Sequence, residues 1–340
     1  MNKTIIIAEA GVNHNGNLDN ALKLIDVACE AGADYVKFQT FRASRLVTPD
    51  AKKADYQTAN MKDDKISQFK MLENLELGYD DHFILKNHAN QQGIKFLSTG
   101  FDNESIDFLA ELEIDYFKIP SGEITNYPYL KHVASKGKPV IISTGMTTLG
   151  EVERALNVFI SAGLTSENIF ILHCNTEYPT PMTDVNLHAM ATLKTAFNVG
   201  VGYSDHTLGI EVPIAAVSLG AVIIEKHFTL DKTMAGPDHR ASLEPDELKQ
   251  MVTAIRNIEM ALSGNGVKYP SLSEAKNIEI ARRSIHTAVA LKEGQVLIEA
   301  DLIMLRPGDG ITPFDLDKII GRKVTSNIEA LTKIQWSDIG

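Results

Sequence analysis

Eight short apolar runs alternate with helical patterns between Thr4 and Glu225. The runs are Thr4–Ala8, Tyr35–Gln39, Lys95–Ser98, Tyr116–Ile119, Val140–Ser143, Ile169–His173, Val199–Tyr203 and Ala221–Glu225. Each is strand-length and mostly apolar, as in a strand buried on both faces. Between them lie helical patterns with capping-type starts, such as Asn17–Glu30, Asn103–Leu112, Leu149–Ile160 and Asn186–Phe197. Eight such units predict a (β/α)8 TIM barrel. A doubly wound sheet shares the alternation, but AEAGVNHNG after the first run lacks the glycine spacing of a dinucleotide site. One long insertion, Arg42–Leu77, follows the second strand, and loops of that length are often functional.

The pattern breaks at SGNGVKYPSLSEAKN. Residues 1–263 are therefore expected to form the barrel, 264–283 a linker, and 284–340 a small, mostly β domain. A domain that small calls for a partner surface. The net charge of -11 argues against nucleic acid or an anionic membrane as partner, though a local basic pocket can still take an anionic substrate. Cys29 and Cys174 give no disulfide framework, and no signal or membrane-spanning segment is evident, so a cytoplasmic location is expected.

A barrel places its chemistry at the C-terminal ends of its strands, and the polar residues gather there. Glu9 ends strand one; Lys37 and Gln39 share a face of strand two; Ser98 and Thr99 end strand three. Lys118 and Ser121 end strand four, with Glu123 in PSGE; Ser143 and Thr144 end strand five; and His173, Asn175 and Tyr178 follow strand six. Ser204 and His206 follow strand seven; Glu225 and His227 end strand eight. Adjacent strands lie about 4.8 Å apart, so two imidazoles at neighbouring strand ends can reach one ion about 2.1 Å from each nitrogen. With oxygen ligands completing the set, Mn²⁺ or Mg²⁺ is expected rather than structural zinc. Lys37 and Lys118, with Ser121, Ser143 and Ser204, suit a phosphate and a carboxylate. The same lysines could instead pair with Glu123 or Glu225, or one could form a Schiff base. His14 is either a site group or a turn residue, and Asp238 either a turn cap or a hydroxyl acceptor. His82, His88, His132, His188 and His286 read as structural or surface groups.

The stretches AEAGVNHNG, VKFQTF, FLSTGFD, FKIPSGEITNYPYL, ISTGMTTLGEVE, LHCNTEYPTP, GYSDHT, IEKHFTLDK, GPDHRASLEPDEL and RPGDGI resemble the bacterial sialic acid synthase family, the phosphoenolpyruvate-dependent nonulosonate synthases. The resemblance runs from about Ile5 to Val324. It implies a TIM barrel followed by a small antifreeze-like (SAF) domain, in a domain-swapped homodimer. It implies that Lys37, Lys118, Ser121, Ser143 and Ser204 bind phosphoenolpyruvate, and that His206 and His227 hold Mn²⁺ or Mg²⁺. Glu9 takes the place of the catalytic acidic group. The resemblance further implies that Gln39, Tyr178 and Asp238 contact the sugar and that Arg306 reaches across the dimer to its N-acetyl group. The family's asparagine two residues before the tyrosine of YPTP is Thr176 here, with Asn175 beside it.

The implied reaction condenses phosphoenolpyruvate with an open-chain N-acetylated amino sugar and releases phosphate by C–O cleavage. N-acetylneuraminate synthase, acting on N-acetylmannosamine, is the expectation. The alternative is N,N'-diacetyllegionaminate synthase, acting on 2,4-diacetamido-2,4,6-trideoxymannose. A Schiff-base aldolase on the same barrel is a further reading. A carbohydrate- or ice-binding module is opposed by the polar rim.

Overall fold

The computed structural model describes residues 3–61 and 66–340. The chain divides into two compact units, Met1–Ser263 and Gly264–Gly340.

Unit one runs β1 (Ile5–Gly11), α1 (Leu18–Ala31), β2 (Tyr35–Thr40), α2 (Ala43–Leu46), α3 (Asp55–Met61), α4 (Gln68–Leu75), α5 (Tyr79–Gln92), β3 (Lys95–Gly100), α6 (Asn103–Glu111), β4 (Phe117–Ile119), α7 (Tyr127–Ala134), β5 (Val140–Ser143), α8 (Leu149–Ser161), β6 (Ile169–His173), α9 (His188–Phe197), β7 (Gly200–Asp205), α10 (Glu211–Ser218), β8 (Ile223–His227) and α11 (Pro245–Ala261). All ladders are parallel, and β1 pairs with both β2 and β8. The ladder order β3-β2-β1-β8-β7-β6-β5-β4 leaves one seam, where β3 and β4 lie against each other. This is the barrel read from the alternation, and its strands are apolar because both faces are buried: Ile6, Ile7, Val36, Phe38, Phe117, Ile142 and Leu172 are wholly inaccessible.

Helix ends follow local rules. Asn17 accepts a hydrogen bond from the Asn20 N–H at 3.0 Å and starts α1; Gly32, at φ +81, ends it. Among the described residues the insertion after β2 carries three short helices, α2 to α4, rather than an unstructured loop. Within it α3 presents no buried residue, so no apolar face announces it. Residues 62–65 of that insertion lie outside the described part.

In unit two, α12 (Leu272–Ala281) falls inside the segment expected as a linker. Ser271 opens it with a capping box, its N–H donating to Glu274 at 2.9 Å. β9 (Ser284–Thr287) pairs antiparallel with β10 (Leu302–Leu305), and isolated bridges such as Leu291–Ile328 and Val324–Ile339 tie the remaining turns. A short helix, α13 (Leu316–Ile319), completes it. Its core is small: Ile285, Leu297, Ile311, Ile319 and Ile334. Among the described residues no helix is long and apolar enough to cross a membrane.

Candidate active site

Strand register brings the rim residues to one level. Glu9 lies opposite Lys37 on one side and His227 on the other, and Ser204 lies opposite Glu225. Alternation turns Lys37 and Gln39 of β2, and Glu225 and His227 of β8, into the barrel mouth. There they line a cavity of about 650 Å³. Glu9, Lys118, Ser121, Ser143, Tyr178, Ser204, His206 and Asp238 line the same cavity. A second cavity of about 710 Å³ lies between α7 and α8, on the helix layer, and holds none of the expected site residues.

Glu225 is the centre of the charge network. One of its oxygens lies 3.0 Å from Lys37 Nζ; the other accepts from Ser204 Oγ at 3.1 Å and lies 3.5 Å from Lys118 Nζ. Lys37 also sits 3.1 Å from Glu9 and donates to Thr99 Oγ1 at 3.1 Å. Lys118 donates to Ser143 Oγ at 2.7 Å, leaving that hydroxyl proton free for an anion. Burial opposes ionisation of Glu225, but Lys118 and Lys37 hold its carboxyl down at about 2. Burial pushes Glu9 up to about 7 in spite of Lys37. Two ammonium groups therefore face one firmly ionised carboxylate and one carboxyl near its midpoint, an excess of positive charge suited to an anion. The pairing reading of the lysines and the anion reading coexist. Glu225 is the partner, whereas Glu123 instead accepts from Asn126. Ser121 Oγ accepts from the Gly145 N–H at 3.0 Å and contacts Cys174 at 3.1 Å. A Cβ on Gly145 would stand 2.8 Å from Ser121 Oγ, so glycine is required for that approach.

The imidazoles of His206 and His227 lie with ring centroids 5.5 Å apart. His206 Nδ1 donates to the Asn175 carbonyl, which leaves Nε2 with its lone pair. His227 Nδ1 is buried without a hydrogen-bond partner. Burial lowers both, His206 to about 4 and His227 well below the usual range, so both are neutral near pH 7. Two neutral, partly unpartnered imidazoles at this separation fit a divalent ion. No cluster of three or more His, Cys, Asp or Glu is placed to hold one among the described residues, so water or substrate oxygens would complete the set.

Tyr178 stacks on His206 at 4.0 Å and on Tyr56 of α3 at 5.0 Å, and meets His227 edge-on at 5.6 Å. Tyr56 and the α4 residues Gln68, Met71, Leu72 and Leu75 extend the cavity wall. The sequence pointed to the insertion but to no residue in it. Asp238 is buried, and burial pushes it up to about 7; no protein group hydrogen-bonds its carboxyl among the described residues. Thr176 lines the cavity, while the Asn175 side chain is used within its own loop, accepting from the Glu177 N–H at 2.8 Å. His14 is a turn group: its Nδ1 accepts from the Gly16 N–H at 3.0 Å, and it does not line the cavity. His82 is not a surface group but is buried, 2.9 Å from Thr40 Oγ1. Arg306 belongs to unit two and is exposed there.

The sequence matches the NeuB family over residues 24–268 and the SAF domain over residues 282–340. The chain belongs to the NeuB family. This NeuB-family enzyme is 53% identical over 96% of its length, and 97% of the relative's, to N,N'-diacetyllegionaminic acid synthase of Campylobacter jejuni. It is 50% identical to the Legionella pneumophila enzyme of the same name, over 98% of this chain and 94% of that one. The crystal structure of N-acetylneuraminic acid (sialic acid) synthetase from Leptospira borgpetersenii, in complex with citrate, matches with a TM-score of 0.70 and 36% identity, covering 82% of this chain and 91% of that one. The NeuB-family enzyme thus has the TIM barrel and SAF domain expected of it, and its relatives are synthases of nonulosonic acids.

Proposed function

We propose that the enzyme is an N,N'-diacetyllegionaminate synthase, joining phosphoenolpyruvate to open-chain 2,4-diacetamido-2,4,6-trideoxymannose. The identities of 53% and 50% to two legionaminic acid synthases, against 36% to a sialic acid synthetase, favour this sugar over the N-acetylmannosamine expected first. The single structural observation that carries the reaction is the convergence of the lysine–serine cradle and the two imidazoles on one cavity of about 650 Å³, within the usual size range of small-molecule sites.

In this reading Lys37, Lys118, Ser121, Ser143 and Ser204 hold the phosphate and carboxylate of phosphoenolpyruvate. Its carbon 3 attacks the sugar aldehyde, forming the new C–C bond and leaving an oxocarbenium at carbon 2. Water adds there and gives one proton to Glu9; the C2–O bond then breaks, its electron pair leaves with phosphate, and the remaining hydroxyl proton is lost as the ketone forms, while the alkoxide left from the aldehyde takes up a proton to become the new hydroxyl. Mn²⁺ or Mg²⁺, when bound by His206 and His227, supplies Lewis acidity at the aldehyde oxygen. Asp238 accepts from a sugar hydroxyl, while Gln39 and Tyr178 position the sugar chain. Arg306 of a second chain, in a domain-swapped homodimer, contacts the N-acetyl group. Use of phosphoenolpyruvate suits a cytoplasmic location. A Schiff-base route through Lys37 has less support, because Glu225 and Glu9 hold its ammonium charged against the effect of burial; burial lowers Lys118 instead, and there the absence of a borohydride-trapped adduct with pyruvate is the expected result.

Phosphate release with each sugar tests the assignment. A kcat/KM at least tenfold higher for the 2,4-diacetamido-trideoxy sugar is expected. An equal or higher value for N-acetylmannosamine would return the assignment to N-acetylneuraminate.

A further inference from the structure

We infer that the buried Asp205–Lys226 ion pair fixes the spacing of the His206 and His227 imidazoles, making both members positioning residues for the bound ion. The inference rests on those imidazoles being the ion's ligands. β7 and β8 run in register with Asp205 opposite Lys226. Side chains alternate across a strand, so while Ser204 and Glu225 face the cavity, Asp205 and Lys226 project from the other face. The histidines follow them by one position each.

Both charged side chains are completely inaccessible. The Asp205 carboxylate accepts from Lys226 Nζ, from the Thr207 N–H at 3.0 Å and from Thr207 Oγ1 at 3.1 Å. Lys226 Nζ also donates to the Thr207 carbonyl at 2.7 Å. The backbone on both sides of His206 is thereby folded around one carboxylate. The cation completing that clamp comes from the residue before His227. A change at either end moves one ring relative to the other.

Stability does not account for the arrangement. Burying two charges roughly breaks even with well-packed apolar side chains, so the pair adds little net stability and its larger consequence is the geometry it imposes. Gly202 points the same way. A Cβ there would lie 2.2 Å from the Ile223 carbonyl oxygen, so β7 and β8 approach more closely than any side chain at that position permits.

Mn²⁺ binding, followed by the EPR signal of the free ion, tests the inference without turnover. Wild type, His227→Ala and the near-isosteric double variant Asp205→Asn/Lys226→Met are compared, with thermal melting as the check on folding. His227→Ala is expected to abolish tight binding. The folded double variant is expected to bind Mn²⁺ about tenfold or more weakly, the scale seen when support behind a ligand is removed. It should bind phosphoenolpyruvate without Mn²⁺ as wild type does. Lys226→Arg keeps the charge and alters the length; a loss of Mn²⁺ affinity there reads the same quantity if the double variant does not fold. Wild-type Mn²⁺ affinity in the folded double variant, or in Lys226→Arg should the double variant not fold, overturns the positioning role and leaves the ligands standing. Unchanged affinity in His227→Ala overturns the ligand assignment beneath it.

Discussion

Lys37 Nζ, on β2, sits 3.0 Å from Glu225 and 3.1 Å from Glu9, a single buried ammonium shared by carboxyl groups from the adjacent strands β8 and β1. Lys37→Met removes that cation and leaves Lys118 as the ion-pair partner of Glu225 among the described residues. Breaking a buried pair on one side costs about 3–5 kcal/mol, so the variant is expected to unfold at lower urea and to raise the KM for phosphoenolpyruvate more than tenfold. A wild-type KM for phosphoenolpyruvate would remove Lys37 from the anion site.

Tyr178 lies face-on between His206 and Tyr56, and its ring does the packing. Tyr178→Phe is expected to stay within a few-fold of wild type, whereas Tyr178→Ala is expected to raise the sugar KM at least tenfold. Steady-state kinetics with the sugar varied separates the two; equal losses in both variants would assign the role to the hydroxyl instead.

Arg306→Ala is expected to raise the sugar KM while leaving that for phosphoenolpyruvate unchanged. If sugar kinetics stay as in wild type, the arginine does not reach the sugar of a second chain. Sedimentation of the wild-type enzyme as a monomer would exclude the exchange altogether.

Stability should fall on acidification through histidines that are buried uncharged. Burial, then the nearby His82 and His239, lower His14 to about 4, and burial lowers His239 to about 4. The unfolded chain takes up these protons near pH 6.5 and the folded chain only near 4, so the unfolded state binds more protons between them. Stability from this source is complete above about pH 6.5, declines as pH falls towards 4, and changes no further below that. His14 contributes up to about 3 kcal/mol of that decline. Urea midpoints at pH 7.5 and 5 for wild type and His14→Gln check this; an identical pH dependence in the variant would contradict it.

The barrel was legible because strands buried on both faces leave apolar runs, and because the rim residues punctuate their C-terminal ends. The lining of the candidate cavity was legible for the same reason: Lys37 with Gln39, and Glu225 with His227, sit two apart on strands and must share a face. What stayed hidden depended on contacts between strands. Glu225 read as one of two carboxylates that could pair with the lysines, and only the register of β7 with β8 chooses it over Glu123 and makes it the hub for Ser204 as well. Asp205 and Lys226 sit beside the histidines in sequence but on the opposite face, where their pairing leaves no local pattern. Tyr56 lies on a helix without a buried stripe, so periodicity could not single it out. Helix α12 was concealed by a Gly- and Pro-rich lead-in, although its Ser271–Glu274 capping box was present in the sequence.

The central claim is that a divalent ion between His206 and His227 activates the sugar aldehyde beside the phosphoenolpyruvate cradle. Its most direct test is phosphate release from phosphoenolpyruvate and the 2,4-diacetamido-trideoxy sugar by enzyme stripped with EDTA, before and after Mn²⁺ is restored. Release is expected to be lost on stripping and recovered with Mn²⁺ in wild type, but not in His206→Ala or His227→Ala. Full turnover in the stripped enzyme would contradict the claim.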